Sequence, residues 1–190
     1  MTSLNRVTAE LERFCRYAVV HDSKELENYL LQPFPIERAV KKRIKERRET
    51  GSKVADFDEN VESLLMSLAE GLKNQVQARI VASRQQFERD IKSGLHNVTI
   101  SEAAMNDFDE KWKSAENRMK IVPGKEIFSA LNAHLQKKYN ITLSPIAVIE
   151  SFSRNEIGQS IVDLLNKLNE IRKEDAADQV SLELTAEPST

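Results

Sequence analysis

Cysteine is nearly missing from this chain of 190 residues. The single thiol, Cys15, excludes an internal disulfide framework and any cysteine-based zinc cluster. The usual habit of a lone cysteine predicts a small, buried apolar residue there. No apolar run approaches the ~20 residues of a membrane-spanning helix. The opening MTSLNRVTAELERF is charged and has no apolar signal core, so a reducing cytoplasm is the expected location. The histidines, His21, His96 and His134, stand far apart and lack metal-ligand spacing. There is no phosphate-cradling glycine loop and no evident Ser-His-Asp set. A net charge of −2 gives no bulk electrostatic preference, although a balanced chain still carries local basic patches.

What is present is helix. Hydrophobic residues make up 40% and charged residues 31%, the composition of a soluble globular chain rich in exposed helix surface. The length fits one domain, or one domain with a helical arm. Periodicity predicts a first helix over Thr8–Phe14. Tyr17–His21 (YAVVH) is short and β-rich, and predicts one buried strand. Asp22, with Glu25 three residues on, reads as the capping box of a helix whose apolar face is Leu26, Tyr29 and Leu30. Pro33 and Pro35 end that helix. Ile36, Ala39, Val40 and Ile44 then mark the buried side of a basic helix closed by Gly51.

Asp56–Ser93 is helical in pattern throughout, with Gly71 as the one breaker. Its stripe is Val61, Leu65, Leu68, Leu72, Val76 and Ile80. A second stripe, Met105, Phe108, Trp112, Ala115 and Met119, predicts an antiparallel partner from about Ser101 to Lys120, across a turn at Gly94. Further helices are expected after Pro123-Gly124, after Ser144-Pro145, and after a Ser153/Glu156 capping box to about Lys173. The acidic stretch from Glu174 to Thr190 is weakly patterned and predicts disorder.

Three groups of residues carry candidate chemistry. Glu25 and Glu27 follow the expected strand directly, and strand ends are where α/β folds place ligand groups. Glu27 borders the apolar face, where a carboxylate wants a partner or a cation; hard divalent cations take oxygen ligands of this kind. The alternative for both is a solvated helix face. Lys125 lies in the first turn of its helix, against the dipole, beside Gly124, which admits a backbone or a phosphate at close range. The basic run Arg38, Lys41, Lys42, Lys45 and Arg48 can contact phosphates with salt-dependent affinity, or be a solvated face. Arg89 and His96 roughly match the Arg-x(4–6)-His pattern of HEPN-type ribonucleases, but Gly94 breaks the helix that pattern needs. Asp56 to Glu59 (DFDE) has Asp-x-Asp spacing and reads as a helix N-cap.

VVHDSKELENYLLQP resembles the [K/R]-E-[I/L]-E-N-Y-L-L-x-P segment of OLD-family (overcoming-lysogenization-defect) ATP-dependent endonucleases, where it follows a strand of the TOPRIM nuclease domain. VPGKEIFSALNAHLQKKYNITLS resembles a later segment of the same proteins, a Pro-Gly-Lys-led helix beyond TOPRIM. Together the two cover, loosely, Tyr17 to Ile171. The resemblance implies a metal-dependent DNA endonuclease of antiphage-defence type, with Glu25 and Glu27 beside a Mg2+ or Mn2+ site and Lys125 facing the scissile phosphate. TOPRIM catalysis also needs an earlier glutamate and an Asp-x-Asp pair to hold the metal, and these would precede this chain. Walker motifs are absent, so ATP would bind only to a missing or separate ATPase part.

The fold expected is therefore mainly α, with a long antiparallel helical arm and one short residual TOPRIM-like strand. Its expected parts are 1–50 (the last βα piece of TOPRIM with the basic helix), 51–122 (the arm), 123–173 (a helical segment) and 174–190 (an acidic tail). The expected partners are DNA and an ATPase/TOPRIM chain or a second copy. The alternative is a non-enzymatic helical protein-interaction module.

Overall fold

The structure, a computed structural model, describes residues 10–20 and 23–185, with the backbone alone for 175–185. The expected starts at Thr8 and Asp22, and the strand end at His21, lie outside the described residues. The fold is mainly α. Its elements are a 310 turn (Leu26–Leu30), α1 (Pro33–Glu49), α2 (Val61–Glu70), α3 (Lys73–Asp90), α4 (Asn97–Lys113), α5 (Ala115–Ile121), α6 (Gly124–Tyr139), α7 (Pro145–Ile149), a second 310 turn (Arg154–Glu156) and α8 (Gln159–Thr185). No described helix is long and apolar enough to cross a membrane.

Among the described residues there is no strand. Residues 17–20 are irregular, which corrects the strand expected over Tyr17–His21. β-Branched composition favours a strand only where a neighbour takes up its backbone groups, and no described segment offers one. Cys15 is exposed rather than buried; it lies in the bend that leads into this stretch.

The chain forms two compact units, one of Asp22–Phe152 and one of Met1–His21 with Ser153–Thr190. The boundaries expected near residues 50 and 122 fall between helices of the first unit. That unit has a single core. α6 buries Ile127, Leu131, Leu135 and Tyr139; α1 buries Ile36, Ala39, Val40 and Ile44; α2 buries Val61, Leu65 and Ala69. α2 packs on both α1 and α6, while α7 packs on α1 and on the first 310 turn. Residues 56–60 are not helical: α2 starts only at Val61, capped by Asn60, whose Oδ1 accepts from Ser63 N–H at 2.8 Å.

The arm is shorter than the sequence pattern implied. Gly71 disfavours the helix interior by about 1 kcal/mol relative to alanine, and the helix breaks at Gly71-Leu72. α2 thus belongs to the core, and the antiparallel pair is α3 with α4. A second break at Ser114, whose Oγ caps α5, returns the chain to the core. The arm turn uses positive φ at Lys92 (51°) and Gly94 (74°). Its seam holds Val76 from α3 and Ile100, Ala104, Phe108 and Trp112 from α4. Phe108 and Trp112 lie 5.0 Å apart, and Gln85 donates across the arm to Ser101 Oγ at 2.8 Å. Met105, expected on this seam, is exposed; Ala104 takes the place.

In the second unit the Ser153/Glu156 capping box opens only the short turn. α8 begins after Gly158 and continues to Thr185, through most of the segment whose composition predicted disorder. Arg16 pairs with Glu174, and Lys167 with Glu170 at 3.0 Å.

Replacing the fully buried Phe108 by alanine is expected to destabilise the protein by ~3–5 kcal/mol in urea unfolding. Met105→Ala should stay within ~0.5 kcal/mol. Equal effects would contradict this seam.

Candidate functional site

Two segments a hundred residues apart in sequence meet at the N-terminus of α6. The first 310 turn opens at Glu25, whose N–H donates to Asn28 Oδ1 at 2.8 Å. Asn28 is 6% exposed. Its Nδ2 donates to Met119 O at 2.6 Å and to Val122 O at 2.9 Å, at the end of α5 and the entry to α6. Lys24 N–H donates to Lys120 O at 2.8 Å. Gly124 opens α6 against this turn. A Cβ there would lie 2.9 Å from both Asn28 N and Asn28 Oδ1, so the close approach that glycine permits is that of Asn28.

This docking brings Glu25, Glu27 and Lys125 together. Glu25 Oε2 accepts the backbone N–H of Lys125 at 3.0 Å, placing a carboxylate at the positive end of the α6 dipole. Glu27 Oε1 lies 3.7 Å from Lys125 Nζ. The lysine side chain is largely exposed and Glu27 partly so. A divalent hard cation takes six or more oxygen ligands. Here there are two carboxylates, one engaged by a backbone amide and the other facing an ammonium. Among the described residues no group of three His, Cys, Asp or Glu is placed to hold a metal ion. The residues present therefore do not by themselves fit Mg2+ or Mn2+.

The five basic residues singled out on α1, Arg38, Lys41, Lys42, Lys45 and Arg48, all have partners. Arg38 donates twice to Ser151 O, at 2.8 and 2.7 Å. Arg48 donates twice to Val54 O, at 3.0 and 2.8 Å, and pairs with Asp56 at 2.8 Å. These two arginines clip α1 to neighbouring segments. Lys41 pairs with Glu37 at 2.5 Å, Lys42 with Glu150 at 3.5 Å and Lys45 with Glu49 at 3.9 Å. Exposed pairs of this kind contribute about 0–1 kcal/mol, so a phosphate can compete for the three lysines more readily than for the two arginines. Arg89 and His96 act separately: Arg89 donates to Gln86 at 2.7 Å, and His96 caps α4.

A further polar cluster joins the segment before α2 to the end of α6. Tyr139 OH lies 2.8 Å from both Asp58 Oδ1 and Glu59 Oε1, its single proton shared between the two carboxylates. His134 Nε2 lies 3.0 and 2.8 Å from the two Glu59 oxygens. Lys138 pairs with Glu59 at 2.7 Å and Asp58 at 3.2 Å. Partial burial opposes the charged form of Glu59, but hydrogen bonds from Lys138, His134 and Tyr139 outweigh it and hold the carboxyl at about 2. Burial, with the hydrogen bond to Asp58, pushes the Tyr139 phenol up to about 12. The hydrogen bond from Tyr139, then that from Lys138, lowers Asp58. Bonding to Glu59 raises Lys138. Asp58 and Glu59, from the run expected as an N-cap, instead supply two of the five members of this cluster, which sequence reasoning missed. Its only trace in sequence is His134, Lys138 and Tyr139, spaced by four and five on one side of α6. Every member is engaged by another, as in a structural tether.

No family model matches the chain, and no curated protein or solved structure matches it.

Glu59 is depressed in the folded state from an ordinary 4.5. Its contribution to stability is fully present above that value and is lost as pH falls from about 4.5 through about 2. Thermal melts across this window should show a falling midpoint, and Glu59→Gln should flatten much of that fall. An unchanged pH slope would remove the tether.

Proposed function

We propose that this chain is the C-terminal part of an OLD-like, metal-dependent DNA endonuclease, and that it contributes Glu25, Glu27 and Lys125 to the nuclease site. The observation that carries this reading is the docking of the two segments that resemble the family. The turn and the Pro-Gly-Lys helix are far apart in sequence, yet they place Glu27 beside Lys125 at 3.7 Å. Lys125 Nζ faces solvent there and can meet a phosphate oxygen. The metal requires more carboxylates than the described residues bring together, so in this reading a further segment or partner chain supplies them, along with ATP turnover. Large apolar side chains remain exposed at Leu26 (61%), Phe34 (69%), Ile146 (66%) and Ile149 on the turn, α1 and α7. Exposed apolar surface of this kind marks a place for more protein.

A second reading, a helical interaction module without catalysis, is favoured by the arm tip. Ile91, Leu95 and Val98 are all substantially exposed there. In that reading Glu25 is a cap and the lysines of α1 form a solvated face.

The chain alone is expected not to cleave plasmid DNA with Mg2+ or Mn2+. Robust cleavage by pure protein, abolished by Glu27→Gln, would overturn the claim that the site is incomplete.

Duplex binding separates the two readings. Binding should be weak, independent of base sequence and strongest at low salt, because no base-reading residues are evident. Replacing Lys41, Lys42 and Lys45 together by alanine should flatten the slope of log K against log salt by about two to three, and Lys125→Ala by about one. No binding at low salt, or unchanged slopes, puts the interaction module ahead.

A further inference from the structure

We propose that Asn28 is the positioning residue of the Glu27–Lys125 pair, a single buried amide that registers the turn carrying one group against the helix carrying the other. The inference rests on the reading that Glu27 and Lys125 belong to one site. Neither element fixes the pair alone. Glu27 sits on a 310 turn of five residues, a helix type with poor hydrogen-bond geometry. Lys125 sits in the first turn of α6, where backbone N–H groups lack helical partners.

Asn28 joins the two through both ends of its side-chain amide. Oδ1 accepts from Glu25 N–H within the turn. The two Nδ2 protons go to Met119 O and Val122 O, which lead into α6. An aspartate of the same length has an acceptor but no donors, so both buried carbonyls would lose their partner. Gly124 is the steric counterpart, since a Cβ there meets both the side chain and the backbone nitrogen of Asn28. Shortening Asn28 does not relieve that clash, because the backbone nitrogen stays in place. Gly124→Ala should therefore remain damaging when combined with Asn28→Ala. With the register set, Glu25 reaches Lys125 N–H and Glu27 reaches Lys125 Nζ.

A zero-length carbodiimide tests this on the full chain. The reagent activates the Glu27 carboxylate, the neutral Lys125 amine attacks the carbonyl carbon, and a urea leaves as an isopeptide bond forms. Mass spectrometry of the digest should find the Glu27–Lys125 cross-link in the unaltered protein. Asn28→Asp should lower its yield several-fold. Phe108→Ala, a buried substitution in the arm seam, should lower the thermal midpoint and leave the yield intact. A yield unchanged by Asn28→Asp, or lowered equally by Phe108→Ala, overturns the proposal. If Asn28→Asp does not fold, hydrogen exchange on the unaltered chain decides: protected Asn28 side-chain protons and a protected Lys125 amide support the register, and rapid exchange of both refutes it. Cleavage and DNA binding do not enter these readouts, so failure of the nuclease reading would show separately.

Discussion

Burial of the Ile127–Leu131–Leu135 stripe of α6 holds the candidate site and most of the core in place. These three side chains are almost wholly removed from water, and full burial of each aliphatic side chain is worth about 1.5–3 kcal/mol. The helix they fix is then held at both ends by polar groups. At its N-terminus the Glu25–Asn28 turn docks on Gly124 and Lys125. At its C-terminus Asp58 and Glu59 engage His134, Lys138 and Tyr139. The apolar stripe supplies the energy, and the two polar contacts set rotation and register. That division follows from their nature: hydrophobic burial is non-directional, whereas buried polar groups demand defined partners.

The parts of this architecture legible in the sequence are those governed by periodicity. The buried faces of α1 and α6, the N-cap at Ser144 and the Gly51 stop followed from spacing and local chemistry. The boundaries of the arm did not. A stripe that runs unbroken from Val61 to Ile80 looks the same whether one helix or two carries it. Only the packing of Ala69 and Leu65 against the core, and of Val76 against α4, distinguishes them. Tyr17 to Val20 had strand composition without a partner, and composition could not supply one. The convergence of Glu25, Glu27 and Lys125 was implied by a family resemblance rather than by spacing. The role of Asn28 was hidden, because an asparagine in ENY reads as an ordinary turn residue until Met119 and Val122 are seen to accept from it.

Charge tells a similar story. The basic run on α1 looked like a phosphate-binding surface because positive charge is dense along that one helix. In the fold, carboxylates and carbonyls from Glu37, Glu49, Glu150, Ser151, Val54 and Asp56 come to meet it. Two of the five residues anchor helices, and three are held only by exposed pairs. A sequence motif of positive charge thus contains residues of two kinds, and the difference lies in whether a main-chain carbonyl or a flexible carboxylate receives the charge.

The detour of the arm has its own consequence for variation over evolutionary time. The chain leaves the core at Gly71 and re-enters at Ser114, and both breaks lie outside the turn–α6 junction. Doubling the length of a flexible excursion adds only about 0.6 kcal/mol of closure entropy, and each matched pair of added helical turns buries a seam of its own. Helical turns can be inserted or removed in matched pairs along α3 and α4 while Glu27 and Lys125 keep their distance. Related proteins are thus free to differ widely in arm length, so that what the arm reaches can diverge while the junction beneath it stays fixed.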